Sequence, residues 1–175
     1  MTFLHNFYHN SAQIRNKRES VSRLSHTLSF PTAISALPVP EAAEQDIIIM
    51  TAAVADFCPS HPADEKIKKN DSSYESVIEL ERTEDILSYL GAHKAKGQLI
   101  CGFSMETQNM LENSKAKLAK KNADMIVANN LKVAGAGFGT DTNVVTLITA
   151  DDCTELEIMD KSCVASRIMD RLLQM

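Results

Sequence analysis

After residue 45 the chain alternates between short apolar runs and longer runs with helical periodicity. The apolar runs predict strands over residues 46–54, 75–81, 99–103, 124–128, 144–149 and 154–159. The helical pattern predicts helices from Thr83, as the N-cap, to about His93, over 106–121 and over 161–173. Strands and helices that alternate in this way indicate an α/β protein whose parallel-type sheet is covered on both faces.

The first third of the chain has a different composition. Residues 1–45 contain none of the six glycines and are rich in Arg, His and Ser. Such a composition is typical of an organellar transit peptide or of a solvated helix, here around residues 13–28. Three prolines between 31 and 40 predict an irregular connection to the rest of the chain. We therefore predict an atypical N-terminal segment, 1–45, and a folded domain, 46–175.

The length and the net charge of the chain limit the functions that it can have. A chain of 175 residues can bury one hydrophobic core, and a net charge of −5 argues against general binding to nucleic acid or to a membrane surface. The four cysteines lack Cys-x-x-Cys spacing, which favours reduced, buried thiols and a cytoplasmic protein. No apolar stretch reaches the roughly 20 residues of a membrane-spanning helix.

Polar or small residues follow three of the predicted strands. Asp56 follows the first, Ser104 the strand that starts at residue 99, and Asn129 the strand that starts at residue 124. Because the carboxyl ends of parallel strands meet at one edge of a sheet, we expect these residues to converge on a binding crevice. Taken alone, Asp56 suits a loop cap as well as a ligand contact.

Two groups of lysines are candidates for binding an anion. Lys66, Lys68 and Lys69 lie in a polar loop predicted over residues 57–73, and Lys117 and Lys121 share one face of a predicted helix. The alternative for the helix is an ordinary solvated face. The helix start at Thr83 offers free backbone N–H groups to a phosphate or a base edge, or else is an ordinary cap.

Seven ordered elements resemble the phosphopantothenate-cysteine ligase family, usually the C-terminal half of a bifunctional bacterial coenzyme A biosynthesis protein. The resemblance covers about residues 46–173. Its elements are Ala52-Ala53-Val54-Ala55-Asp56-Phe57 with Pro59, Lys66-Ile67-Lys68-Lys69, Thr83-Glu84-Asp85-Ile86-Leu87, Gly102-Phe103 with Glu106-Thr107, Lys117 with Lys121, Ile126-Val127-Ala128-Asn129, and Phe138-Gly139 with Asn143.

The resemblance implies a three-layer, Rossmann-like fold with a mostly parallel sheet, and a CTP-dependent ligase. In that reaction the carboxylate of 4'-phosphopantothenate attacks the α-phosphate of CTP, giving an acyl-cytidylate and pyrophosphate. The amine of cysteine then displaces CMP to form 4'-phosphopantothenoylcysteine. The resemblance also implies Mg²⁺ with the nucleotide, no flavin in this chain, a homodimer, and a decarboxylase domain or chain as a candidate partner.

Family residues carry over position by position. Lys66 is the expected catalytic residue, which stabilises charge that develops on the phosphates. The implied nucleotide contacts are Asp56, Lys66, Glu84, Asp85, Ile86, Leu87, Phe103, Lys117 and Lys121. The resemblance leaves the metal ligands unassigned.

The beginning of the chain departs from the family. The family's glycine-containing first βα turn and its Asn-x-Ser-Ser-Gly segment do not occur in residues 1–45. The alternative function is therefore a nucleotide-binding fragment or regulatory module that is competent only for CTP binding or for the first half-reaction. A Rossmann-type oxidoreductase is disfavoured because no Gly-x-Gly-x-x-Gly follows a strand.

Overall fold

The structure, a computed structural model, describes residues 42–51, 54–63, 77–106, 108–130, 132–133 and 139–175. Expectations for the segment before residue 42 and for the lysine-rich segment around Lys66 lie outside these residues. The described part contains the strands and helices β1 Ile47–Met50, β2 Phe57–Pro59, β3 Leu80–Arg82, α1 Ile86–His93, β4 Leu99–Met105, α2 Met110–Lys120, β5 Met125–Asn129, β6 Thr142–Asn143, β7 Val145–Ile148, β8 Cys153–Glu155, β9 Met159–Asp160 and α3 Lys161–Leu172.

Five strands form the main sheet, in the order β1, β4, β5, β7, β8. The first three are parallel, whereas β7 is antiparallel to both of its neighbours. The α/β class is thus confirmed, but the sheet is mixed rather than mostly parallel. The antiparallel pairing of β7 with β8 follows from the short link between them, closed by a hydrogen bond from Thr149 N to the Asp152 carbonyl oxygen at 2.9 Å. A turn of this length can join only antiparallel strands.

The core consists of two clusters that use alternate residues of the same strands. One contains Ile47, Cys101 and Val127 and packs with Val164 and Ile168 of α3. The other contains the alternate sheet residues and packs with α1 and α2 through Ile48, Leu87, Leu90, Ile100, Leu118, Ile126, Ala128 and Ile148. Successive side chains of a strand point to opposite faces, so this division follows from the apolar runs of the sequence.

Several predicted element boundaries are wrong. The predicted loop 57–73 begins with a strand, because Phe57 pairs with Arg82 in the antiparallel β2–β3 ribbon. Of the predicted strand 75–81, the structure describes residues 77–81 and begins the strand only at Leu80, as Leu80–Arg82; within the predicted strand 46–54, the described strand is Ile47–Met50. Three-residue strands that are exposed on both faces, as β3 is, have too few positions for an alternating pattern.

The starts of α1 and α2 also differ from the prediction. The N-cap of α1 is Asp85, whose side chain accepts a hydrogen bond from Ser88 N, and Thr83 instead donates its hydroxyl to the Ala55 carbonyl oxygen. Helix α2 begins at Met110, after Asn109 in the left-handed conformation, rather than at Glu106. Strand β4 extends two residues beyond its predicted end at 103, to Met105.

All four cysteines are free, as the sequence predicted, but only Cys101 is buried. Burial raises the pKa of the Cys101 thiol, and the nearby Asp124 carboxylate raises it further. The expectation of buried thiols is wrong for Cys153 and Cys163, which are exposed, and Cys58 is only half-buried. In the part of the chain that the structure describes, each helix is too short or too polar to cross a membrane.

Candidate functional site

The carboxyl ends of β1, β4 and β5 lie along one edge of the sheet. Met50 pairs with Gly102, and Met105 pairs with Asn129, in the parallel register. The three strand ends therefore share one edge, as predicted, whereas the convergence of Asp56, Ser104 and Asn129 on a crevice stays a prediction, and Ser104 is buried and does not face solvent. Asp56 lies in the segment beyond β1, is exposed, and accepts a hydrogen bond from Thr83 N through its carbonyl oxygen at 3.0 Å.

The start of α1 packs directly on β4 at Gly102. A Cβ atom on Gly102 would lie 2.6 Å from Leu87 Cδ2, so glycine permits this close approach. Leu87 is buried in the core and Ile86 packs against it. Of the predicted contacts in this segment, Ile86 and Leu87 can therefore offer a ligand mainly their backbone N–H groups, whereas Glu84 is exposed.

Asp85 occupies the anion position at the start of α1. Its Oδ1 accepts from Ser88 N at 2.9 Å, and its Oδ2 accepts from Lys121 Nζ. Partial burial alone would raise the pKa of Asp85, but the hydrogen bonds from Lys121 and Ser88 outweigh burial and hold the pKa below its usual value. A helix start that already carries a carboxylate repels a phosphate, so of the two predicted ligands the base edge fits better.

Lys117 of α2 and Lys121, the C-cap of that helix, turn toward this edge. Lys117 Nζ donates to the Phe103 carbonyl oxygen at 2.9 Å, and the Lys121 side chain, 13% exposed, pairs with Asp85. Lys115 and Lys120 are exposed. The solvated-face alternative thus holds for Lys115 and Lys120 and is wrong for Lys117 and Lys121.

The position of Lys121 depends on a close contact between α1 and the end of α2. A Cβ atom on Gly91 would lie 1.8 Å from the Lys121 carbonyl oxygen. Asn122 follows in the left-handed conformation, with φ of 49°, and donates its side-chain amide to the Gly91 carbonyl oxygen at 2.7 Å. Sequence reasoning missed this junction, whose one signal is a glycine inside a predicted helix.

The aromatic ring of Phe103 packs against the cluster that contains Val127 and Ile168. Its carbonyl oxygen faces α2 and accepts from Lys117. Any contact between a ligand and Phe103 therefore uses the backbone at the strand end more readily than the centre of the ring.

Two polar pairs near this edge were not predicted as pairs. Asn143 is buried and donates its side-chain amide to Asn129 Oδ1 at 2.8 Å, while Asn143 Oδ1 accepts from Val144 N at 3.0 Å. The Oγ atoms of Ser104 and Ser114 lie 2.6 Å apart. In the sequence, such pairs are indicated only by an amide or hydroxyl residue within an apolar run.

Lys66 lies outside the described residues, so its place relative to this edge stays a prediction. Among the residues that the structure describes, no three His, Cys, Asp or Glu side chains are grouped closely enough to hold a metal ion. The described site thus consists of a helix start with a carboxylate, two partly buried lysines, and the ends of three parallel strands.

Comparison with known proteins identifies the domain. Residues 33–175 match the family model described as the DNA/pantothenate metabolism flavoprotein C-terminal domain. The chain is 48% identical over 128 residues to the coenzyme A biosynthesis bifunctional protein CoaBC of Bacillus subtilis, a match covering 73% of the chain and 31% of that protein. It is 47% identical over 131 residues to a cysteine/cysteine sulfinic acid decarboxylase from an unknown prokaryotic organism, covering 74% of the chain and 36% of that protein.

A solved structure agrees with these sequence matches. The crystal structure of the C-terminal domain of CoaBC superposes with a TM-score of 0.59 at 40% identity, over 78% of this chain and 59% of that one. The match spans about a third of the length of the curated relatives. The chain belongs to the DNA/pantothenate metabolism flavoprotein C-terminal domain family, which confirms its resemblance to the C-terminal part of the bifunctional coenzyme A biosynthesis protein.

Proposed function

We propose that this chain is the CTP-dependent phosphopantothenate-cysteine ligase domain of coenzyme A biosynthesis. The observation that carries the proposal is the orientation of α2, which turns Lys117 and Lys121 toward the carboxyl edge of the sheet and leaves Lys115 and Lys120 in solvent. Two lysines at such an edge suit a nucleoside triphosphate, because ligands of α/β sheets bind where parallel strands end. The family match supports the same function.

The start of α1 would bind the base. The backbone N–H groups near Ile86 donate hydrogen bonds, and the Asp85 carboxylate accepts them, so this segment offers both partners that the edge of cytosine requires. The phosphates would then extend toward Lys117 and Lys121. In this arrangement Lys121 exchanges part of its contact with Asp85 for a contact with the nucleotide.

Lys66 is the proposed catalytic residue. Its ammonium would stabilise charge on the α-phosphate as the substrate carboxylate attacks and pyrophosphate leaves. The amine of cysteine would next attack the acyl carbon, the bond to CMP would break, and the amine would lose its proton. Mg²⁺ would arrive with the nucleotide and neutralise phosphate charge.

The remaining features of the proposal concern architecture. We propose the three-layer, Rossmann-like arrangement for the domain 46–175, supported by the packing of α3 and of the other two helices with alternate residues of the sheet. A homodimer is supported by the exposed apolar side chains of Phe57, Val77, Ile78 and Leu80 on and beside the β2–β3 ribbon. Sedimentation of the chain would test the dimer.

The ligase proposal is tested by measuring two products separately. The chain is incubated with CTP, Mg²⁺, 4'-phosphopantothenate and cysteine, and both pyrophosphate and 4'-phosphopantothenoylcysteine are quantified. The proposal predicts both products, in equal amounts, and their loss when CTP is omitted. Lys117→Ala should lower the rate at limiting CTP, whereas the matched variant Lys115→Ala should not.

Two other outcomes have definite meanings. Pyrophosphate without the amide product would favour the alternative, a fragment limited to the first half-reaction. Absence of both products together with absence of CTP binding would refute the nucleotide site itself.

A further inference from the structure

A pair of buried hydroxyl groups joins α2 to β4 one helical turn before Lys117. The Oγ atoms of Ser104 and Ser114 are 2.6 Å apart, and Ser114 is completely buried. Ser104 lies on the same face of the sheet as Ile100, because alternate residues of a strand share a face. A buried hydrogen bond of this kind adds little net stability, since both hydroxyls give up hydrogen bonds to water. Its main effect is therefore on geometry.

Helix α2 has two polar attachments to consecutive residues of β4. Ser114 contacts Ser104, and Lys117 donates to the Phe103 carbonyl oxygen at 2.9 Å. Positions three apart lie on one side of a helix, about 4.5 Å apart along its axis. Together with the core packing of Leu118, two attachments at this spacing restrict both the distance of the helix from the strand and its rotation about its own axis.

We propose that the Ser104–Ser114 hydroxyl pair positions Lys117 and thereby sets the affinity of the chain for the phosphates of a nucleotide. The inference rests on the nucleotide-binding function proposed above. An ammonium group has three N–H donors, of which Lys117 gives one to Phe103. No other acceptor within the described ranges bonds to this ammonium, so two donors are available to an anion. Ser114 is a positioning residue that acts through Lys117.

A positioning role and a purely structural role predict different results for single and double variants. Ser114→Ala leaves the Ser104 hydroxyl buried without a partner, which lowers stability. The double variant Ser104→Ala/Ser114→Ala removes the unpaired hydroxyl as well, so its Tm should return close to that of the parent. The lost attachment of α2 is not restored, and the effect on Lys117 should persist.

The experiment measures the Kd for CTP with Mg²⁺ by calorimetry, and the Tm, for the full chain and its variants. We expect Ser114→Ala and the double variant each to weaken CTP binding about five- to tenfold, although the double variant regains its Tm. In a Lys117→Ala background, Ser114→Ala should change the Kd less than about twofold, because the group that it positions is gone. The control is Ser166→Ala on α3, whose hydroxyl donates to the Ser162 carbonyl oxygen at 3.1 Å, and it should leave the Kd unchanged.

Two results would overturn the inference. One is recovery of CTP affinity together with Tm in the double variant, and the other is independent, multiplicative effects of Ser114→Ala and Lys117→Ala. If the parent chain binds CTP, either result refutes the positioning role but not the nucleotide site. A parent chain that binds no CTP refutes the proposed nucleotide site and the positioning role with it.

Discussion

Replacement of Gly91 by alanine sets helix propensity against packing. Gly91 lies inside α1, where alanine is normally favoured over glycine by about 1 kcal/mol. The new Cβ atom, however, would lie 1.8 Å from the Lys121 carbonyl oxygen and 2.9 Å from its carbonyl carbon. Ordinary contacts begin near 3.4 Å. Backbone atoms of the α2 terminus would therefore have to move away from α1.

The steric cost should exceed the gain in propensity. Overpacking of this kind costs about 1–3 kcal/mol or more, and displacement of Asn122 would also weaken its hydrogen bond to the Gly91 carbonyl oxygen, worth about 1 kcal/mol. We expect Gly91→Ala to lower the free energy of unfolding by about 2 kcal/mol, a net value in which the helix-propensity gain offsets part of both losses. In equilibrium urea unfolding this corresponds to a midpoint about 1 M lower.

A matched control on the same helix separates propensity from contact. Ala92 is exposed, so Ala92→Gly should cost about 1 kcal/mol through propensity alone and should leave CTP affinity unchanged. Gly91→Ala should also weaken CTP binding, because Lys121 moves with the displaced backbone. A Gly91→Ala protein that is more stable than the parent by about 1 kcal/mol would refute the close approach of α1 and α2.

Three further predictions concern charged residues of the site. Lys66→Ala should reduce the rate of pyrophosphate release by about 10²–10³ and weaken CTP binding less, and an unchanged rate in stopped assays would remove Lys66 from the mechanism. Lys121→Ala should raise the Kd for CTP about tenfold, whereas the control Lys120→Ala, at an exposed neighbouring residue, should change it less than about twofold. Equal Kd values for the two variants in calorimetry would contradict the assignment of Lys121 as a nucleotide contact. The pKa of Asp85 is held below its usual value, so its stabilising charge is complete above the unfolded-state pKa of about 3.9 and is lost as the pH falls through the folded-state pKa. Asp85→Asn should therefore flatten the dependence of the unfolding free energy on pH in that acidic window, and an unaltered slope would show that the pairing with Lys121 is absent in solution.

The sequence predicted those parts of the fold that depend on periodicity over many residues. Alternating apolar residues such as Ile47 and Ile48 were enough to indicate a strand with two buried faces, and the α/β class followed. The direction of β7 was not predictable in this way, because the apolar pattern of a buried strand is the same in parallel and antiparallel sheets. The short turn to β8 fixes only the direction of β8 relative to β7.

The candidate site shows a similar division. The four-residue spacing of Lys117 and Lys121 predicted a shared helix face, but which face turns inward depends on tertiary contacts with Phe103 and Asp85. Threonine and aspartate both suit an N-cap, so residue type alone does not decide between Thr83 and Asp85. The sequence predicts Thr83, whereas the N-cap in the structure is Asp85. The hydroxyl of Thr83 bonds across the chain to Ala55 instead, a pairing with no local signal.

The mixed sheet has a consequence for the order in which the chain folds. Ile148 pairs with Cys153 across a tight turn, whereas Ile47 pairs with Leu99, 52 positions later. Closing the longer loop costs about 2 kcal/mol more in chain entropy. The β7–β8 hairpin can therefore form early from local contacts, and β1 joins the sheet only after β4 is in place. Among the described residues β1 lies at one edge of the main sheet, so its amide hydrogens should exchange earlier than those of the central strands β4 and β5, and its opening would remove one wall of the crevice.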